Sequence, residues 1–209
     1  MPIKWIHILI LGCILLLNNS LYSQNKIQLI PESSSVHVFG TSNVHDWQMF
    51  VEFDKNTSDY KIPNNSIKDL KNIEFKIKGI QLRSKEKAME KMAHKALKIF
   101  HFPEIKFMLK RITIKSHKST SFIGFAVGIL TVSGQKKNIR LPINGNFTGK
   151  RKINIRGHID LKMSDFKVDP PKAFLGAVST SDDIKILYSL DFSSKQKLTQ
   201  DMLSMNLMP

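Results

Sequence analysis

Hydrophobic and polar positions alternate along most of the chain, most informatively in the stretch FIGFAVGILTVSGQKKNIRLPINGNF, residues 122–147. In its second half Ile139, Leu141 and Ile143 alternate with polar or neutral neighbours, the period of two expected of a half-buried strand. Gly134-Gln135-Lys136 marks the turn before it. The first half is apolar on both faces: Phe122, Ile123, Phe125, Val127, Ile129, Leu130 and Val132. A strand of that kind must be covered on both sides. Gly124 and Gly128 sit four apart within it. Glycine in a strand interior signals a bend, a bulge or the close approach of another group. Strands that close a barrel need such positions, although a sandwich-core hairpin carries the same pattern.

The same period returns elsewhere. Val36 and Val38 face one way in Ser35–Ser42, and Trp47, Met49, Val51 and Phe53 form one face of the next run, with Phe50 breaking the alternation. Further strands are expected around Ile73–Ile77, Ile105–Ile114, Ile153–Met163 and Ile184–Phe192. Between Arg83 and Pro103 the period changes. Ala88, Met89, Met92, Ala93, Ala96 and Leu97 fall at helical spacing, Ser84 is placed to cap, and Lys87, Lys91 and Lys95 form a row on the other side. This predicts one amphipathic helix over about 84–98, packed across a barrel end. Asp54–Asn65 and the proline-punctuated Asp165–Gly176 read as loops, and Asp182-Asp183 as a turn before the last strand. The expectation is an all-β domain of eight antiparallel strands and one helix, a barrel or a sandwich, without internal repeats.

The ends of the chain do not share this pattern. A basic start is followed by an almost unbroken apolar run from Trp5 to Leu17 and a small residue at Ser23. This predicts a secretory signal peptide over residues 1–23, leaving Gln24 as the new N-terminus, because the run is short for a membrane span. Cys13, the one cysteine of the chain, lies inside that run. The apolar residues continue beyond it, where a lipoprotein would have a polar tether. The expected mature chain therefore has no thiol chemistry and no disulfide. Residues 24–193 are expected to form one domain, and residues 194–209, polar and rich in methionine, a flexible tail.

Charge adds a surface property. The formal net charge is +15. Residues 61–118 hold 16 basic and 5 acidic side chains, and residues 136–162 hold 8 and 1. In an exported protein such a surface suits peripheral contact with anionic membrane, or it is solvated lysine on outward strand faces. Nucleic acid is not expected, since no basic stripe is interleaved with stacking aromatics. No phosphate-binding glycine loop, nucleophile elbow or HExxH occurs, and the histidines are scattered, so neither a metal nor a cofactor is expected. His45-Asp46 before Trp47 is the most conspicuous polar corner, with no nucleophile to join it. Aromatic and aliphatic side chains on strands stand out instead, among them most of the 13 phenylalanines. A barrel of this size either fills itself or encloses one ligand, and a long apolar ligand needs a dry tunnel with a polar mouth.

Five stretches carry a family resemblance: SSVHVFGTSNVHDW (34–47), MEKMAHKALKIFHFPEIKF (89–107), the 122–147 hairpin, which matches GxLTxxGxxKxIxLPV except for Ile143 in place of Val, SDFKVDPPKAFLG (164–176) and DDIKILYSLDF (182–192). In order and spacing, from about Ile27 to Ser193, the chain resembles the YceI-like family of exported, lipocalin-like proteins that bind polyisoprenoid lipids. The resemblance implies an eight-stranded antiparallel lipocalin-like barrel with an isoprenoid or other long-chain lipid inside it. It also implies a periplasmic or secreted carrier or store rather than an enzyme, with no catalytic residues, and it favours a homodimer. On that reading Phe39, Trp47, Phe75, Met92, Phe107, Phe125, Phe166 and Phe174 are candidates to hold the chain. His45 and Arg83 are candidates to meet an anionic head, and Gly128 to leave the chain room. Two other readings are an envelope enzyme using His45 and Asp46, and a basic structural or adhesive module.

Overall fold

The computed structural model describes residues 25–54, 61–64, 73–149 and 151–194, with the backbone alone at 25–27, 61–64 and 174. The expected signal peptide lies outside the described residues, as does the expected tail beyond Ser194. The chain begins with β1 (Asn25–Leu29), β2 (Ser35–Ser42), β3 (Trp47–Val51), β4 (Lys61–Asn64), β5 (Ile73–Lys78) and β6 (Leu82–Arg83). The helix α1 (Lys87–Ala96) is followed by β7 (Glu104–Lys118), β8 (Ser121–Val132), β9 (Gln135–Thr148), β10 (Lys152–Lys162), β11 (Lys172–Ala173) and β12 (Val178–Ser194).

Nine of these strands follow one another in a nearly closed antiparallel barrel, in the order β5-β7-β8-β9-β10-β12-β2-β3-β6. The barrel class is as expected, and the count is nine rather than eight. The additional strand, β6, is two residues long, too short for alternation to reveal. β1 pairs with β12 and β4, and β11 with β12, off this path. The expected turn at Asp182-Asp183 falls inside β12, which starts at Val178 and bulges between Thr180 and Ile184.

The β8–β9 hairpin is built on a two-residue turn. Ser133 and Gly134 both have positive φ, 47° and 74°, and Val132 pairs with Gln135. This geometry matches the right-handed twist of the flanking strands. The two-faced apolar character of β8 has a physical explanation. Phe122, Ala126, Leu130 and Val132 face the interior. Phe125 faces outward, beneath the Arg140 guanidinium at 3.6 Å and the Lys115 ammonium at 5.0 Å. Basic side chains from neighbouring strands cover the Phe125 ring, by cation–π attraction and with their aliphatic stems, while Ile123 on the same face stays exposed.

Gly124 and Gly128 lie opposite bulges in β7, which skip a residue between Leu109 and Arg111 and again between Ile114 and Ser116. A Cβ at Gly128 would meet the Met108 carbonyl at 2.3 Å, and one at Gly124 the Thr113 carbonyl at 2.2 Å. The glycines let β7 coil tightly onto β8.

A buried core that includes Leu29, Ile73, Phe122, Ile143, Ile153 and Phe192 lines the inside of the barrel. One end of the barrel carries the 133–134 turn, the β2–β3 corner, the segment between β10 and β12, and α1. Met89, Ala93 and Leu97 pack from the helix side on Met49, Val51 and Leu82. The helix starts three residues later than expected, and its cap differs. Glu86 is the N-cap and makes no side-chain cap bond. Ser84 Oγ instead accepts the Glu86 amide (3.1 Å), and the Ser84 amide donates to Glu90 Oε2 (3.1 Å).

Candidate ligand-binding cavity

The barrel is hollow. A cavity of about 750 Å³ runs up to the helix and the opposite loops, within the ~300–1,000 Å³ typical of small-molecule sites. Inward positions of the strands form its wall: Val36 and Val38 on β2, Leu141 and Ile143 on β9, Ile159 and Leu161 on β10. The strict alternation of these strands puts apolar groups inside and polar ones in water. Met89, Met92, Ala93 and Ala96 roof one side. Few polar side chains reach the lining among the described residues, chiefly Ser42, His45, Lys76, Glu86, Thr180 and Tyr188.

Several sequence candidates come together on this cavity. Trp47, Phe75, Met92, Phe107 and Phe166 line it, and His45 borders it. Trp47 donates its indole N–H to the Thr41 carbonyl at 3.1 Å, which leaves the apolar ring for the wall. Phe166 is 4% exposed and is held there by an anchored loop. The Ser164 amide (2.8 Å) and hydroxyl donate to the two carboxylate oxygens of Asp182, and the Met163 amide donates to the Asp182 carbonyl at 2.9 Å. These bonds, with the Lys162 charge, hold the Asp182 carboxyl below the usual range. Asp182 thus serves as a loop anchor.

The other candidates lie elsewhere. Phe39 stacks with His37, ring centroids 6.0 Å apart, on the outward side of β2 because Val36 and Val38 take the inward positions. Phe125 sits under its cations on the outside. Gly128 has the inward register of Ala126 and Leu130 but is not part of the lining, because the Met108 carbonyl and the cavity-lining Phe107 ring close over it. Arg83 lies on the far side of the roof, where Nε is 3.4 Å from Glu52 and Nη1 is 3.3 Å from Glu90. The side chain of Phe174 is outside the described set. His45 is exposed at the rim and its Nδ1 donates to the Asp46 carbonyl at 2.8 Å. Among the described residues Lys76 is the lysine or arginine that borders the cavity, and its Nζ is 3.7 Å from Glu104.

Three features of the site have no sequence pattern to announce them. Glu90, in the middle of a lysine-rich helix, is buried, accepts from Ser84 and Lys87, and pairs with Arg83. The Ser84 amide, and then the neighbouring cations, hold its carboxyl below the usual range. His94 Nε2 donates to the Leu82 carbonyl at 2.7 Å, a second tie between roof and wall. Tyr188 reaches across Gly157 and donates to the Pro142 carbonyl. It does so where β9 leaves β10, after the pair Arg156–Asn144. Burial pushes the Tyr188 phenol well above its usual range. Among the described residues there is no cluster of three or more His, Cys, Asp or Glu able to hold a metal ion, and no helix long and apolar enough to cross a membrane.

Solved structures share this architecture. A polyisoprenoid binding domain from Saccharophagus degradans, implicated in plant cell wall breakdown, superposes with a TM-score of 0.62 at 8% identity, covering 80% of this chain and 98% of that one. Burkholderia cenocepacia BcnA superposes with a TM-score of 0.56 at 15% identity, covering 78% and 98%. No match was found to a curated protein sequence. At the level of sequence, the YceI-like domain profile matches residues 28–192, from the end of β1 almost to the end of β12. The chain therefore belongs to the YceI-like family.

Proposed function

We propose that the protein is an exported lipid-binding protein that holds a polyisoprenoid, or another long apolar chain, inside its barrel, for carriage or storage in the envelope. The observation that carries this reading is the cavity itself: about 750 Å³, walled by aliphatic and aromatic side chains, with few polar groups. Such a lining has no partner for a polar ligand and rewards an apolar one. The polyisoprenoid-binding relative from Saccharophagus degradans, alike in fold, supports the choice of ligand class. The polar rim, with His45 and Lys76, leaves a place for a head group.

Titrating delipidated protein with a fluorescent polyene fatty acid tests the reading. Saturation at one probe per chain, with displacement by a polyprenol, is expected. A lack of uptake, or uptake that a polyprenol cannot displace, argues against it. Export is tested separately by the N-terminal sequence of the protein recovered from its source, expected to begin at Gln24. The enzyme reading needs His45 and Asp46 side by side in the cavity. His45 is instead exposed, with Nδ1 on a backbone carbonyl, and Asp46 does not line the cavity.

A further inference from the structure

Seven large apolar side chains are exposed among the described residues, and four of them, Val44, Phe100, Phe102 and Leu175, stand on the open end of the barrel. Isolated exposed apolar residues are ordinary on protein surfaces. A set gathered at the mouth of a cavity marks an interaction surface.

Local structure holds each of them out. Phe100, 95% exposed, is on the tight turn after α1, where Lys98 takes a left-handed backbone conformation (φ 53°) and its carbonyl accepts the amides of both His101 and Phe102. Phe102 leans on Gly134 of the β8–β9 turn. Leu175, at the tip between β11 and β12, is fully exposed and itself has a left-handed backbone, φ 56°. A leucine stays in that conformation only where its surroundings impose it.

Val44 and Leu175 belong to two loops that are fastened together. The Asn43 amide group donates to the Ala177 carbonyl (2.8 Å) and accepts the Ser179 amide (2.9 Å), while the Asn43 backbone amide donates to the Ser179 carbonyl (3.2 Å). Val44 is at once 63% exposed and part of the cavity lining, so the apolar surface runs from the cavity wall onto the rim. The same end presents exposed Lys98, Lys136, Lys167 and Lys172, against Asp46, Asp169 and an Asp165 that pairs with Lys137 at 3.7 Å.

We propose that this rim docks the protein, mouth down, on a lipid surface. Phe100 and Leu175 insert at the headgroup boundary, and the lysines lie against anionic headgroups. The inference rests on the reading of the cavity as a lipid site, and it supplies a route by which a chain enters or leaves without crossing water. A lipid surface, rather than a protein groove, fits because the apolar rim opens directly into the apolar cavity.

Flotation with phosphatidylcholine vesicles containing phosphatidylglycerol tests it. The wild-type chain is expected to float. The double variant Phe100→Ser, Leu175→Ser is expected to partition at least about tenfold more weakly, with an unchanged melting temperature because both side chains are already in water. The variant should still take up a fluorescent polyene fatty acid from solution. Wild-type protein that stays in the dense fraction, or a double variant that floats equally well, overturns the proposal. So does a wild-type dimer in light scattering that the two substitutions dissociate, since the rim would then be an interface between copies. Flotation abolished by the substitutions in a protein that takes up no probe upholds the docking face and removes the cavity reading instead.

Discussion

Gly128→Ala separates two roles that a glycine on a barrel wall can have, leaving room for a ligand or leaving room for the next strand. The added Cβ would lie 2.3 Å from the Met108 carbonyl oxygen and 2.8 Å from two ring carbons of Phe107, where ordinary contacts begin near 3.4 Å. The Phe107 ring can turn aside. The Met108 carbonyl cannot, because Met108 is paired with Ile129 in the β7–β8 ladder beside a bulge. Strand β7 must retreat by about an ångström, and forcing an extra methyl group into packed structure costs about 1–3 kcal/mol. The gain from a stiffer unfolded chain, about 0.4–1 kcal/mol, offsets only part of this. The net loss is about 2 kcal/mol, toward the upper end because the obstructing atom is backbone. Urea unfolding followed by far-ultraviolet circular dichroism measures it, as a lowered midpoint at constant slope. Lipid retained per folded molecule should change little, since Gly128 is not itself part of the lining and only the Phe107 ring beside it turns. A midpoint equal to that of the wild type, or lost lipid in a fully stable variant, refutes the argument and puts Gly128 on the ligand side of the wall.

Ala126, between the two glycines but lining the cavity, should respond in the opposite sense: Ala126→Phe raises the stability of the lipid-free protein by about 0.5–2 kcal/mol by filling space and lowers polyene uptake, whereas a destabilised variant would show that the space is not there. Glu90 should make the helix roof sensitive to acid. Its carboxyl is held low in the fold, so its contribution is complete above the unfolded-state value and is lost as pH falls below about 4; Glu90→Gln should flatten the acid limb of a melting-temperature profile, and an unchanged limb contradicts this. Tyr188, held neutral by burial, should lower stability as pH rises past about 10, where the unfolded chain loses the phenol proton first. Tyr188→Phe should reduce that alkaline decline and lose about 1 kcal/mol at neutral pH with the bond to Pro142.

The barrel was legible in the sequence because its long strands keep a period of two. Ile153, Ile155, Ile159 and Leu161 needed no tertiary context to show which face is inside, and they line the cavity. Hydrophobicity alone was a poorer guide where the outer face is also apolar. Phe39 and Phe125 look like lining residues, but their register turns them outward, where His37 and the Arg140–Lys115 pair cover them. Arg83 has the charge to meet an anionic head, and two carboxylates, Glu52 and Glu90, hold it instead. Glu90 was hidden because a glutamate in a lysine-rich helix looks like solvent-facing charge. Only the fold brings the Ser84 amide onto its carboxylate. The glycines of β8 signalled a bend, a bulge or a close approach without saying which; the close approach is that of β7, whose bulges leave no trace in sequence.

The central claim is that the cavity is occupied by a long apolar chain when the protein is made in its own organism. Solvent extraction of protein purified without detergent from its native source, followed by quantitative mass spectrometry, measures this directly. The account predicts an isoprenoid or similarly long lipid at close to one molecule per chain. Repeated extraction that yields no such lipid above the level of an unrelated exported protein from the same preparation would contradict it.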